Sequence, residues 1–172
     1  MIKPGRNNIN FDFFNQKILF LENQFYDAED KPITDSIQNV FLEYLSKDPD
    51  EKTYDSNRLV TLREFPDSGP LFSRFTANTS KIIETTFSGK LESLKIQCAA
   101  LGGIVMENHS YDLCIRFKAL NKIPIILNFN DQDDVLPANA LFLFYDNAIS
   151  FLDLKSLGTL ITYLTGRLIQ PA

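Results

Sequence analysis

The chain opens with a short alternation of apolar and polar residues. Ile9, Phe11 and Phe13 alternate with polar neighbours, and a second apolar run follows at residues 18–21. Side chains two residues apart in a strand point to the same face, so this pattern predicts a β-hairpin. Residues 24–26 are a candidate third strand beside it.

The clearest helix has apolar residues at i, i+3, i+4, i+7 and i+8 from Ile37, which is one stripe facing a core. Ile33 matches a hydrophobic staple, Thr34 or Asp35 matches an N-cap, and Pro49 follows the predicted end. Three further helices are predicted with their apolar residues on one side, at residues 80–87, 91–101 and 154–168.

Four strands are predicted close together in the second half, at residues 104–106, 111–117, 123–129 and 141–145. The last run does not alternate, which predicts a strand that is buried on both faces. Short connections between these strands favour antiparallel neighbours. The sequence therefore predicts a single α+β domain over residues 1–172, with helices packed against a mostly antiparallel sheet.

Charge and composition narrow the classes of function. The net charge of −5 argues against nucleic-acid binding and against attachment to an anionic membrane surface. No apolar run approaches the roughly 18–20 residues of a membrane span, and no apolar segment follows the charged N-terminus. A cytoplasmic location is therefore expected. Cys98 and Cys114 are expected to be small buried residues rather than a disulfide or metal ligands.

A series of landmarks carries a family resemblance. In the second half they are, in order, the dipeptide Gly102-Gly103, the strand entry Ile123-Pro124, the acidic stretch 131–138, the segment 144–146 and a closing leucine-rich helix. In the first half they are the hairpin, the helix ending at residues 42–45 and the stretch 62–66. With these landmarks the chain resembles domain-of-unknown-function family 3786, an uncharacterised bacterial and archaeal family.

The resemblance covers most of the chain and implies a setting rather than an activity. Some relatives are associated with anaerobic iron–sulfur or corrinoid metabolism, and the cysteine-rich segments that some of them carry have no counterpart here. No arrangement of residues amounts to a recognisable active site, so the first hypothesis is a non-enzymatic accessory or binding module related to anaerobic cofactor or redox metabolism. The sequence identifies no cofactor and assigns no metal site.

The second hypothesis is a small-ligand- or metal-binding enzyme. Its best candidate residues lie in the acidic stretch. Clustered carboxylates at Asp131, Asp133 and Asp134 could bind a hard cation or a small molecule through oxygen. The stretch fails the EF-hand pattern, because Val135 and Leu136 stand at its fifth and sixth positions. The alternative is a solvated turn in which the carboxylates cap backbone groups.

Two further polar residues belong to this second hypothesis. Asp146 ends an apolar strand and could either contact a ligand or cap the turn that follows. His109, the one histidine, lies in a predicted turn and would need a nucleophile placed beside it by the fold. The hypothesis therefore requires the acidic stretch, Asp146 and His109 to converge in one pocket.

A third hypothesis concerns protein partners. Phe72 and Phe75 follow the turn signal at Gly69-Pro70 and do not fit the core spacing of the other phenylalanines. With Leu71 they could form an exposed apolar patch of the kind that binds a partner protein or a second copy of the chain.

Overall fold

A computed structural model of the chain describes residues 9–47 and 57–170. The first elements form a three-stranded antiparallel sheet of β1 (Ile9–Phe13), β2 (Gln16–Leu21) and β3 (Gln24–Tyr26). The residues of the two connecting turns, Phe14-Asn15 and Glu22-Asn23, all have positive φ, as a two-residue type I′ hairpin turn requires. The predicted hairpin and third strand are confirmed.

Helix α1 (Asp35–Ser46) follows and packs on this small sheet. Its buried residues belong to the predicted apolar stripe and are Ile37, Val40, Phe41 and Tyr44. The Phe41 ring centroid lies 5.0 Å from those of both Phe13 and Phe25. Aromatic rings bury a large apolar area each, which a three-stranded sheet needs in order to be stable. Pro49, predicted to follow this helix, lies outside the described residues.

A five-stranded antiparallel sheet is built from the second half of the chain. Its strands are β4 (Leu59–Val60), β5 (Ile104–Val105), β6 (Leu113–Leu120), β7 (Ile123–Asn130) and β8 (Asn139–Tyr145). Their order in space is β4-β8-β7-β6-β5, so the three long strands form the centre and the two-residue strands form the edges. The predicted α+β class with a mostly antiparallel sheet is confirmed.

The core lies between one face of this sheet and the helices α1 and α5 (Leu154–Leu168). β7 is the strand with both faces buried, since residues 125–129 are all buried. β8 alternates instead, and Leu141, Leu143 and Tyr145 on its second face are half-buried. The prediction that this run is buried on both faces was therefore wrong, because β8 lies one strand from the edge and only one of its faces meets the core.

Three helices connect the two halves, and they are α2 (Gly69–Asn78), α3 (Ser80–Phe87) and α4 (Leu91–Ala100). The predicted helices α3, α4 and α5 are confirmed. Helix α2 was not predicted, because Gly69 and Pro70 are typical of a turn. The structure places the proline in the first helical turn, where its missing N–H removes no helical hydrogen bond.

Both cysteines are free and buried, as predicted. Burial raises the pKa of Cys98 to about 12. The thiolate is the form that reacts and binds metals, so Cys98 is a poor nucleophile at neutral pH. None of the described helices combines the length and apolar character needed to cross a membrane.

Candidate functional site

A cleft of about 180 Å³ opens beside β8, between α2, α3 and a 3-10 helix at Leu62–Glu64. Its apolar lining comes mainly from Leu62, Phe72, Phe75 and Ile161. Its polar lining includes Thr61, Thr76, Ser80, Lys81 and Glu84. A largely apolar surface with a few polar groups is typical of sites that bind small molecules or short peptide segments.

The edge of β8 lines one side of the cleft, and its backbone hydrogen bonds reveal which groups are free. The Ala140 N–H donates to Glu84 Oε1 at 3.0 Å, on the side away from β7. The Asp146 N–H donates to the Arg58 carbonyl at 3.0 Å, also on the β4 side. Alternate residues of an antiparallel strand direct their N–H and C=O groups to the same side. The N–H and C=O of Phe142 therefore point away from β7 as well.

β4 provides a ladder partner for Phe144 but not for Phe142. Phe144 pairs with Val60, so the next position of the same ladder would pair Phe142 with Leu62. The chain instead turns into the 3-10 helix at Leu62. Within the described residues, no group bonds the Phe142 N–H or C=O on this side. A strand-edge donor and acceptor are therefore left unpaired at the cleft.

Among the described residues, Glu84 is the one charged residue that is buried, with 8% of its surface exposed. α3 places it at the start of β8, where Asn139 Nδ2 also donates to Oε1 at 3.4 Å. Its Oε2 accepts from Lys81 Nζ at 2.7 Å, and the Lys81 side chain is 66% exposed. The buried carboxylate thus has the hydrogen bonds and the counter-charge that burial demands. The Lys81 ammonium group lies at the mouth of the cleft, with its charge paired to that of Glu84.

Phe72 and Phe75 belong both to the cleft wall and to the packing of the core. Leu71, Phe72 and Phe75 are half-buried, and the two rings pack against the core. Phe75 lies so close to Gly158 of α5 that a Cβ there would be 2.2 Å from the ring. The Arg63 guanidinium lies 5.7 Å from the Phe72 ring centroid. The expected exposed patch is therefore half-buried, and its role in binding a partner stays a prediction.

The acidic loop after β7 uses its carboxylates to hold backbone groups. Asp131 Oδ1 accepts from the Gly89 N–H at 2.6 Å, which ties this loop to the connection between α3 and α4. Asp133 Oδ1 accepts from the N–H groups of Leu136 and Val135, both at 2.7 Å. These two bonds hold the pKa of Asp133 below its usual value of 3.8. This arrangement is the capped turn that was the alternative to a ligand site.

Within the described residues, the other candidates share no hydrogen bond or ion pair with Asp131 or Asp133. Asp134 is exposed. His109 Nε2 lies 3.3 Å from Glu107 Oε1, and its side chain is 91% exposed. Asp146 follows the end of β8, roughly 20 Å of extended chain from the acidic loop before its start. In the described part of the chain, no three His, Cys, Asp or Glu residues are grouped to hold a metal ion. Ligand binding by these residues stays a prediction.

Sequence reasoning missed Glu84 and the unpaired backbone position at Phe142 of β8. Glu84 stands beside Ile83 and three residues before Phe87, within the buried side of α3. A carboxylate on the apolar side of a helix was the available signal. The unpaired position at Phe142 had no local signal, because it arises where the distant strand β4 leaves the ladder.

Comparison with known proteins identifies the family. A model of the family described as Domain of unknown function (DUF3786) matches residues 2–167. No curated protein and no solved structure shows a significant match to the chain. The resemblance inferred from the sequence landmarks is confirmed over nearly the whole chain.

Proposed function

The chain belongs to the DUF3786 family, and we propose that it is a non-enzymatic binding module whose cleft beside β8 holds a short extended peptide segment. The observation that carries this proposal is the unpaired N–H and C=O of Phe142 in an amphipathic cleft. Open strand edges bind peptides by adding a strand, where backbone bonds supply affinity and neighbouring pockets supply specificity.

The surroundings of Phe142 limit what the cleft can hold. Ala140 is already bonded to Glu84 on one side and Phe144 to β4 on the other, so only a short segment can pair with β8. Phe72 and Phe75 offer an apolar surface to one ligand side chain. Lys81 Nζ at the mouth is paired with Glu84 Oε2, and the remaining N–H groups of this 66% exposed side chain can donate to a ligand carboxylate near the bound amide.

The proposal unites two of the sequence hypotheses. The residues predicted to meet a partner protein, Leu71, Phe72 and Phe75, lie at the cleft or beside it. The bacterial source and the link to anaerobic cofactor or redox metabolism rest on the family resemblance, and the cytoplasmic location rests on the sequence pattern; all three remain part of the proposal. The acidic loop is the weaker candidate, because the Asp131 and Asp133 oxygens already hold backbone N–H groups.

An NMR titration tests this function. N-acetyl-Ala-Phe-Ala with a free carboxylate, and the same peptide with a C-terminal amide, are added to ¹⁵N-labelled protein. We expect saturable shift changes that are largest at the Phe142 amide, with the carboxylate form binding more tightly because of Lys81. Thr76→Trp fills the cleft from α2 and should weaken binding at least about tenfold, or 1.4 kcal/mol.

Ser93→Trp is the matched control, because it adds the same side chain at an exposed position on α4. This variant should bind the peptides as the native chain does. Shift changes that survive Thr76→Trp would place the binding site elsewhere. A complete lack of saturable change with both peptides would remove the support for peptide binding at β8.

A further inference from the structure

β5 is an open edge strand on the side of the sheet opposite to the cleft. Within the described residues it pairs with β6 alone. Ile104 and Val105 are 64% and 68% exposed, and Met106 after them is 36% exposed. Natural edge strands are usually protected by charges, by proline or by a covering element. Three consecutive exposed apolar residues at an open edge therefore indicate an interface.

The backbone of β5 presents one donor and one acceptor outward. Ile104 pairs with Arg116, and the Met106 N–H donates to the Cys114 carbonyl at 2.8 Å, so both residues bond toward β6. Val105 lies between them. Because alternate residues of an antiparallel strand bond to opposite sides, the Val105 N–H and C=O point away from β6.

We propose that two copies of this chain pair through β5, antiparallel about Val105, and form a dimer with one continuous sheet. A two-fold axis at Val105 lets the two Val105 residues exchange both of their outward hydrogen bonds. In that register Ile104 of each copy lies opposite Met106 of the other. All three exposed apolar side chains thus meet apolar side chains, which is the self-complementarity that a closed two-fold interface requires.

The charges beside β5 favour a second copy as the occupant. The same register carries Glu107 of one copy past Gly103 of the other, toward a groove of about 380 Å³ next to Gly102 and Ile104. The groove is lined by Lys17 and Lys118, which both pair with Asp12, its one acidic residue, so these three side chains leave one net positive charge. A carboxylate from each copy therefore approaches a positively charged groove of the other, which is the complementarity that selects a partner.

This interface is separate from the proposed peptide site. Three strands, β8, β7 and β6, lie between β4 at one edge and β5 at the other. Dimer formation through β5 therefore leaves the cleft open, and either proposal can fail without the other.

Sedimentation velocity at protein concentrations that span about a hundredfold range tests whether the dimer forms. The native chain should pass from monomer to dimer as its concentration rises. Val105→Pro removes the outward N–H, which no bond to β6 uses, and should weaken the dimer at least about tenfold. Val105→Thr keeps the N–H and the branched shape, so it should remain dimeric.

Val105→Lys is the second variant, with the same expected loss of dimer, and far-UV circular dichroism checks that each variant is folded. A native chain that stays monomeric over the whole range overturns the proposal. The proposal is also overturned if Val105→Pro and Val105→Lys are both folded and still dimerise as tightly as the native chain. Loss of the dimer in Phe72→Ser alone would place the interface at α2 and overturn pairing through β5.

Discussion

Gly158 lies where α5 meets α2, and the Phe75 ring occupies the space that a side chain would need. An alanine at this position would gain helix propensity, but its Cβ would lie 2.2 Å from Phe75 Cζ. Overpacking of this kind forces the ring or a helix to move. Gly158→Ala is therefore expected to lower the free energy of unfolding by about 1–3 kcal/mol, measured by urea denaturation.

Gly166, later in the same helix, is the matched control. No atom lies within 4 Å of a Cβ built at Gly166, so Gly166→Ala should stabilise the chain by roughly 0.5–1 kcal/mol through helix propensity alone. Equal effects of the two variants would show that the Phe75 ring is not what excludes a side chain at Gly158.

Glu84 is a second residue whose role can be measured, because its two oxygens have different partners. Glu84→Ala leaves the buried Ala140 N–H without its acceptor, which should cost about 1–3 kcal/mol in urea denaturation. Glu84→Gln keeps Oε1 and loses only the pair with Lys81, whose side chain is 66% exposed. Lys81 stays in contact with water when the pair is lost, and the neutral amide is cheaper to bury than the carboxylate, so the glutamine variant should lie within about 1 kcal/mol of the native chain.

Glu92 on α4 provides the comparison for Glu84. It also pairs with a lysine three residues along, Lys95, but its side chain is 81% exposed. Glu92→Ala should change the free energy of unfolding by no more than about 0.5 kcal/mol. A similar loss from Glu84→Ala and Glu92→Ala would contradict the role of Glu84 as the acceptor for β8.

At the scale of elements, the acidic loop between β7 and β8 depends on the ionised form of Asp133. Its folded pKa is depressed below 3.8 by the Leu136 and Val135 N–H groups. A depressed pKa means that the stabilising effect is present above the usual pKa and is lost as pH falls through the folded value. The stability difference between the native chain and Asp133→Ala should thus be constant near neutral pH and shrink in acid.

Urea midpoints of the two proteins between neutral pH and strongly acidic pH measure this dependence. A carboxyl ¹³C titration should independently place the midpoint of Asp133 below 3.8. Asp133→Asn is the control, because its amide oxygen can accept the same N–H groups without titrating. A stability difference that is independent of pH would show that the ionised carboxylate does not hold the turn.

The elements also differ in how far local pattern predicts them. α1, α3 and α5 were predictable because an apolar stripe reports which face of a helix meets the core. α2 was missed because glycine and proline occur both in turns and in the first turn of a helix. The burial of β8 was misjudged because an apolar run does not reveal how far a strand lies from the edge of its sheet.

At the scale of the whole molecule, Phe14 joins the three-stranded sheet to the five-stranded one. Its N–H donates to the Lys118 carbonyl at 3.2 Å, and its ring lies 6.3 Å from that of Phe117 between centroids. A φ of 46° is costly for a bulky residue, and the nearly complete burial of the ring offsets that cost.

Phe14→Ala removes this contact and should lower the free energy of unfolding by about 3–5 kcal/mol. Urea denaturation followed by circular dichroism and by tyrosine fluorescence measures the loss, and the two signals of the native chain should coincide because one core joins both sheets. Asn23→Ala, at a positive-φ position of the exposed second turn, should cost only about 1 kcal/mol. If Phe14→Ala lowers the free energy of unfolding no more than Asn23→Ala does, the three-stranded sheet is held by other contacts.

The sequence alone determined the class of the fold, its family and most of its helices and strands. Those features depend on the periodicity of neighbouring residues, which is set by the geometry of the element itself. The hairpin at β1 and β2, the stripe of α1 and the closing helix α5 are of this kind.

Only the tertiary structure decided where a ligand could bind. The five polar residues chosen from the sequence lie at two ends of a strand and on an exposed turn, because residue type does not report which loops meet. The cleft at Phe142 exists because β4 ends early and Glu84 reaches β8 from a different helix. Both features depend on contacts between positions far apart in the chain, and such contacts cannot be predicted from a local pattern of residues.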